Sequence, residues 1–222
     1  MTDDRLPEDP TLDEVRAALA PIIPHHAAFD GWSQAALASA AAEARLPADL
    51  ATLAFPGGAM AMIDAWFGAV DRAMAAALPP ERLAAMRIRE KIAALVMARI
   101  EVVAPDREAL RRALAILALP TNAAAGARLG WRAADAMWRL AGDRATDFSH
   151  YSKRATLAAV YGATVLAFLD DESEGLAETR AFLARRIDQV MRFESLKAQL
   201  RPSADRTFSP ARLLGRLRYR VA

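Results

Sequence analysis

The chain has 222 residues, no cysteine, 54% apolar residues rich in alanine, and a formal net charge of +2. That length suits one domain, or a small head on a larger body, and the lack of cysteine excludes disulfides and thiolate chemistry. Sparse β-branched and aromatic residues favour an all-α protein, and only Lys91, Lys153 and Lys197 among the 29 basic residues are lysine, which reads as a composition bias rather than a phosphate-binding surface.

Proline and short polar breaks divide the chain into about ten helices with no period-2 strand. Thr11 caps a first helix that ends at Pro21, Ser33 caps a second through Ala44, and a third opens at Pro47 and closes before Pro56. A long apolar helix runs from Gly58 to Leu78, and another from Pro80 to about Val103. Asp106 caps a shorter helix through Ala118. Asn122–Leu140 follows and is stopped by Gly142. Thr146 or Asp147 caps an apolar helix ending near Leu169, and Glu174–Lys197 comes next. Ser209-Pro210 then starts a last helix, Ala211–Val221.

The expected organisation is a helix-turn-helix-like head (11–57), a helical body (58–200), and a linker with a basic helix (201–222). A head and body of this kind resembles the layout of TetR-type regulators; an up-and-down bundle fits the same spacing. The longest uncharged runs, Ala113–Ala127 and Ala155–Leu169, are too short to span a bilayer comfortably and read as buried helix. The N-terminus, M-T-D-D-R-L-P-E-D-P, is acidic and has the pattern of neither a signal nor a transit peptide.

Charge argues against DNA as a partner. Between Thr11 and Leu78, Arg16, Arg45 and Arg72 face Asp13, Glu14, Asp30, Glu43, Asp49, Asp64 and Asp71, and the would-be recognition helix, P-A-D-L-A-T-L-A-F-P, carries no Arg, Lys, Asn or Gln. Such a head repels a duplex. Catalysis is disfavoured as well. There is no Glu-x-x-His pair, no His-x-x-x-His spacing, no Gly-rich phosphate loop and no G-x-S-x-G elbow, and the neighbours Ser149 and His150 diverge on a helix. Asp135, Asp143 and Asp147 fit helix caps or partners of Arg132, Arg139 and Arg144 better than metal ligands. The expectation is a non-enzyme without metal or cofactor.

The C-terminal helix pattern is amphipathic. Leu213, Leu214, Leu217 and Val221 share one face, bordered by Arg212, Arg216, Arg218 and Arg220. It suits an anionic membrane surface, with the arginine stems reaching the headgroups, or docking on the chain's own body. The link Arg201–Phe208 favours the membrane.

Trp131–Arg154 concentrates two tryptophans, three aspartates, a tyrosine and a histidine, a mixture that a core helix does not need. Within it, D-A-M-W-R-L-A-G-D-R-A-T-D-F-S-H-Y-S-K-R-A-T-L-A-A-V-Y (Asp135–Tyr161) closely resembles the signature of the COQ9 family of ubiquinone-biosynthesis proteins. The W-x-x-A-G-D-x-x-T-D-F-x-x-Y core carries the likeness, which extends to T-R-A-F-L-A-R-R-I-D-Q-V-M (Thr179–Met191) and, upstream, to F-D-G-W-S (Phe29–Ser33).

The resemblance implies a TetR-like fold that has lost DNA binding, a body that holds isoprenoid lipids such as ubiquinone precursors, and a membrane-engaging C-terminal helix. It also implies an accessory role toward a quinone-ring hydroxylase of the demethoxyubiquinone hydroxylase type. Trp138, Asp143, Asp147, Phe148, Tyr151 and Arg154 match the motif, and the surface around them is where that partner would dock. At His150, eukaryotic members commonly carry tryptophan, an interface anchor, so this partner surface departs from theirs. Trp138 is expected to pack, whereas His150, Tyr151 and Arg154 are expected at the surface.

Ile92, Val96, Leu114, Leu117, Met137 and Leu140 are candidate lipid-pocket residues, and the same positions fit plain core. The helices Ala155–Leu169 and Glu174–Lys197 are a candidate homodimer interface. The expected setting is cytoplasmic, peripheral on the inner membrane of a bacterium. The alternative is a ligand-sensing TetR-type transcriptional regulator.

Overall fold

The computed structural model describes Pro7, residues 9–143 and residues 148–200, leaving aside the side chains of Phe148 and residues 194–200. All regular structure among them is helical. The tail helix expected at Ala211–Val221, with Arg212, Leu213, Leu214, Arg216, Leu217, Arg218, Arg220 and Val221, lies outside the described residues, as does Asp147.

Helix α1 (Leu12–Leu19) starts where the sequence places it. Thr11 Oγ1 accepts from the Glu14 amide at 3.3 Å, and the Glu14 carboxylate accepts from the Thr11 amide at 2.8 Å, so two otherwise orphaned donors are satisfied reciprocally. Helix α2 (Ile23–Asp30) was not expected. Pro21 and Pro24 read as a break, but Pro24 lies in the first turn, where a missing N–H costs nothing, and Gly31 at φ 68° closes the helix. Ser33 caps α3 (Gln34–Glu43), and Pro47 precedes α4 (Ala48–Ala54).

After α5 (Ala59–Ala77), the single helix expected from Pro80 to Val103 is two. Helix α6 (Pro80–Ala84) ends, and α7 (Ile88–Val103) restarts at Arg87, whose amide donates to the Glu90 carboxylate at 2.9 Å. Asp106 precedes α8 (Arg107–Leu117) but makes no side-chain cap bond; it is buried, 3.5 Å from His25 Nε2. Helix α9 (Ala123–Leu140) follows a 3-10 turn at Pro120–Asn122. The uncharged run Ala113–Ala127 is therefore not one buried helix: it bends at the α8–α9 junction, where Leu119 is 51% exposed. Helix α10 (Phe148–Leu169) and α11 (Ala177–Leu200) are joined through a turn in which Gly175 and Leu176 both have positive φ.

In the head, α3 packs on α2 and α4, and α1 packs on α4. In the body, α5 packs on α7 and α9, α10 lies against α9 and α11, and α11 returns to α7. The buried apolar residues of both parts form one continuous core. Trp32 ties them together. Its indole N–H donates to the Ala109 carbonyl of α8 at 3.0 Å, and its ring lies 5.3 Å from that of Trp66 on α5.

The α10–α11 turn is locked by a buried acid. Asp171, 1% exposed, accepts from the Ser173 and Thr179 amides at 2.8 Å each and from both hydroxyls. Burial alone would raise its carboxyl, but these four bonds hold it far below the usual carboxylate range. From α8, Arg107 donates to the Asp171 carbonyl at 2.6 Å and Arg111 to the Leu169 carbonyl at 2.8 Å, satisfying acceptors left open at the end of α10.

Among the described residues no single helix is long and apolar enough to cross a membrane. Helices α4 and α5 reach that length and composition only together, bent by 83°. Their Ala51, Ala54, Met62, Ile63, Trp66, Val70 and Met74 are buried in the core, which accounts for the composition.

Candidate functional site

The motif residues gather where α9 hands over to α10. Helix α9 ends in a Schellman motif: Gly142, at φ 91°, donates its amide to the Arg139 carbonyl, and the Asp143 amide donates to the Trp138 carbonyl, each at 3.0 Å. The turn sends Asp143 back toward α10. Its carboxylate accepts from Lys153 Nζ at 2.8 Å and from Arg154 Nη1 at 3.1 Å. Asp143 is thus an ion-pair anchor for α10 rather than its cap.

Arg154 is the centre of the arrangement and corrects an expectation. The sequence reading puts it at the surface, yet it is 2% exposed. Its Nε donates to Asp135 Oδ1 at 2.6 Å, and its Nη1 also donates to the His150 carbonyl at 3.2 Å. Asp135 is held in turn by Arg139 at 2.8 Å. Two carboxylates on one guanidinium repay its desolvation, which is why this arginine can be buried at all. Burial would raise the Asp143 carboxyl; hydrogen bonds from Lys153 and Arg154, and their charges, outweigh it and keep the group below its ordinary value. With Asp135 and Asp143 neutralised by Lys153, Arg154 and Arg139, the pair is poorly suited to a metal ion.

Trp138 is half-buried and does pack. Its indole N–H donates to the Lys153 carbonyl at 3.1 Å, and Lys153 Nζ sits 5.5 Å above the ring. Tyr151, by contrast, is 61% exposed, with His150, expected at the surface but half-buried, edge-on at 5.1 Å and Trp131 of α9 at 6.1 Å. Buried ion pairs below and an aromatic group above make a surface whose backbone is fixed before anything binds. Phe148 opens α10, and its side chain lies outside the described part of the structure.

Trp131, Asp135 and Lys153 belong to this site although the partner surface expected from the sequence did not include them; Asp135 does make the ion pair with Arg139 that the sequence suggested. The signal was available for two of them: Trp131, Asp135 and Trp138 recur at spacings of four and three and so share one face of α9. The pocket candidates lie elsewhere. Ile92, Val96 and Met137 are buried in the core, and Leu114, Leu117 and Leu140 are half-buried against it.

Head, body and a rigid α9–α10 corner define a TetR-like, all-α protein. The chain superposes on the crystal structure of the TetR transcriptional regulator from Nitrosomonas europaea ATCC 19718 with a TM-score of 0.64 and 24% identity, over 80% of this chain and 98% of that one, a likeness of fold. The family model COQ9 matches residues 123–194. Over 110 residues the chain is 36% identical to the human "Ubiquinone biosynthesis protein COQ9, mitochondrial", covering 50% of this chain and 35% of that protein. The Drosophila melanogaster protein of the same name is 28% identical over 192 residues, covering 85% and 59% respectively. Xenopus laevis COQ9-B is 38% identical over 96 residues, covering 43% and 33%. Residues 123–194 are therefore similar to the COQ9 family, the one that the motif resembles. The chain spans between 33% and 59% of the length of these curated relatives.

Proposed function

We propose that this chain is a lipid-binding accessory protein of ubiquinone biosynthesis, without catalysis of its own. Its body holds an isoprenoid quinone precursor, and the corner around Tyr151 docks a quinone-ring hydroxylase, of the demethoxyubiquinone hydroxylase type, at the cytoplasmic face of the membrane. The observation that carries this reading is the buried Asp135–Arg154–Asp143–Lys153 network beneath an exposed tyrosine, in the segment shared with proteins named for ubiquinone biosynthesis. Fixed backbone under an exposed aromatic group is what a protein interface needs, because little freedom is lost on docking.

The basic face of Arg212, Arg216, Arg218 and Arg220 supports membrane attachment. Exposed Leu166, Met191 and Phe193 on α10 and α11 support a homodimer through that helix pair. A regulator reading fares worse. The exposed positions of α4 include Asp49, Thr52 and Leu53, and Arg16 is occupied by Asp13 at 2.6 Å and the Ala54 carbonyl at 2.5 Å. Two measurements test the proposal. Mass spectrometry of the purified protein should find a copurifying prenylated or quinone-like lipid, and its absence would weaken the account. In a pull-down with the hydroxylase, Tyr151→Ala should lose binding; Arg154→Ala is unsuitable because it strikes the support and not the surface.

A further inference from the structure

Helix α7 runs the length of the body and meets different neighbours at its two ends. Just past its finish, Asp106 lies 3.5 Å from His25 of the head. At its start, Lys91 Nζ donates to the Ala141 carbonyl, where α9 ends, at 3.4 Å, and Arg89 pairs with Asp188 of α11. Near the start of α11, Arg180 pairs at 2.5 Å with Glu101, near the finish of α7, so the two helices run antiparallel. The α6–α7 turn, the α9–α10 corner and the last turns of α11 therefore share the end of the body away from the head. The chain continues from that end after Leu200, and residues 201–222 hold six arginines against one aspartate.

Charge divides along the same axis. The head (11–57) has Arg16 and Arg45 against Asp13, Glu14, Asp30, Glu43 and Asp49, whereas residues 79–91 have Arg82, Arg87, Arg89 and Lys91 against Glu81 and Glu90. The 16 residues of α7 separate the two ends by about 24 Å, roughly three Debye lengths at physiological salt. An anionic surface thus attracts one end of the molecule and scarcely feels the other. Two acids at the turn are already engaged: Glu90 by the Arg87 amide at 2.9 Å, and Asp188 by Arg89.

Amid these cations Ile88, the first residue of α7, is 47% exposed. An exposed isoleucine alone is ordinary. With arginine on either side it suits the boundary of a bilayer, where the apolar group enters the interface and the guanidinium groups stay at the phosphates. A protein partner would ask for a large desolvated anchor, which this turn does not offer.

We propose that the α6–α7 turn is a second contact with an anionic bilayer: Ile88 enters the interface, Arg82 and Arg87 meet lipid phosphates, and the body stands on this end with the head turned away. This rests on the membrane reading above and adds to the tail a contact on the folded body. Two contacts fix a tilt that one leaves free, and Tyr151, in the first turn of α10, is then held close to the membrane.

The chain has no cysteine, so Ile88→Cys in the full chain takes a single environment-sensitive nitrobenzoxadiazole label, with Leu53→Cys on α4, 64% exposed, as the control in the head. Vesicles of two parts phosphatidylcholine to one part phosphatidylglycerol should shift the Ile88 label to the blue and leave the Leu53 label still; pure phosphatidylcholine should move neither. In the unlabelled chain, Arg82→Gln with Arg87→Gln should weaken flotation with the anionic vesicles about ten- to thirty-fold, whereas Arg45→Gln in the head should stay within about two-fold. Vesicle binding with an unmoved Ile88 label overturns this contact and leaves attachment by the tail standing. Both labels shifting together overturns the orientation and with it the proposal. An Ile88 label that shifts with protein concentration before vesicles are added makes the occupant a second copy of the chain, which also overturns it. No binding to either vesicle overturns both readings.

Discussion

Replacing Arg154 with methionine is expected to destabilise the whole protein rather than one contact. Methionine roughly fills the space, so the cost is electrostatic: Asp135 and Asp143 lose the cation that joins them, and the His150 carbonyl loses a donor. Removing one partner of a buried ion pair typically costs about 3–5 kcal/mol. Here both acids keep a second cation at 2.8 Å, Arg139 on Asp135 and Lys153 on Asp143, which argues for the lower end, about 3 kcal/mol. For a chain of this size that is a fall in Tm of about 6–12 °C. Circular dichroism at 222 nm follows the unfolding, with Tyr151→Ala as the exposed control, expected within about 2 °C of wild type. The triple variant Asp135→Asn, Asp143→Asn, Arg154→Met should recover most of the loss, since no unpaired charge stays buried. An Arg154→Met Tm within about 2 °C of wild type would refute a buried keystone at this corner.

The remaining expectations concern acids and docking. Asp143 and Asp171 are held below their ordinary values, so their stabilisation is complete above the unfolded carboxylate range and is lost as pH falls through the lower folded values. Urea midpoints should therefore be flat from about pH 7 to pH 5 and drop below about pH 4. Asp171→Asn should lower the neutral-pH midpoint, by about 2–4 kcal/mol of stability, and flatten that acid slope; an unchanged slope would contradict the lock. Asp106 has the opposite sign. Burial raises its carboxyl and the His25 charge only partly opposes this, so the ionised form is a cost to folding. Asp106→Asn should raise Tm at pH 7, and its advantage should shrink as Asp106 becomes protonated in the wild type at lower pH. Tyr151→Ala should weaken hydroxylase binding by about ten- to a hundred-fold in surface plasmon resonance while leaving the melting curve in place.

Local chemistry was readable wherever it was local. Thr11 with Glu14, Ser33, Pro47 and Gly142 mark helix ends through bonds to residues within five positions, and the structure has each of them. Helix α2 escaped because two prolines in four residues look like a break, whereas the second is a start. The stop after Ala84 escaped because Ala85-Met86-Arg87 contains neither glycine nor proline. At the candidate site, the tryptophan expected to pack does pack and Tyr151 is exposed, but Arg154 is buried against acids 19 and 11 residues away. An arginine is exposed by default, and only the tertiary meeting of α9 and α10 reverses that default. The same holds for Arg99 and Asp71, whose pairing spans 28 residues and two helices.

Helix α10 is pinned at both ends: at its start by the Arg154 ion pairs, and at its finish by Arg107, Arg111 and the Asp171 lock. A beam clamped in this way neither slides nor rolls, so what it displays is displayed at a set pitch. Tyr151 and Leu166, both 61% exposed, lie 15 residues apart on nearly the same side, a separation of about 22 Å. A protein seated at Tyr151 and a second copy of the chain seated at Leu166 would approach along one edge as neighbours. The spacing of that edge sets how wide the first can be before it touches the second.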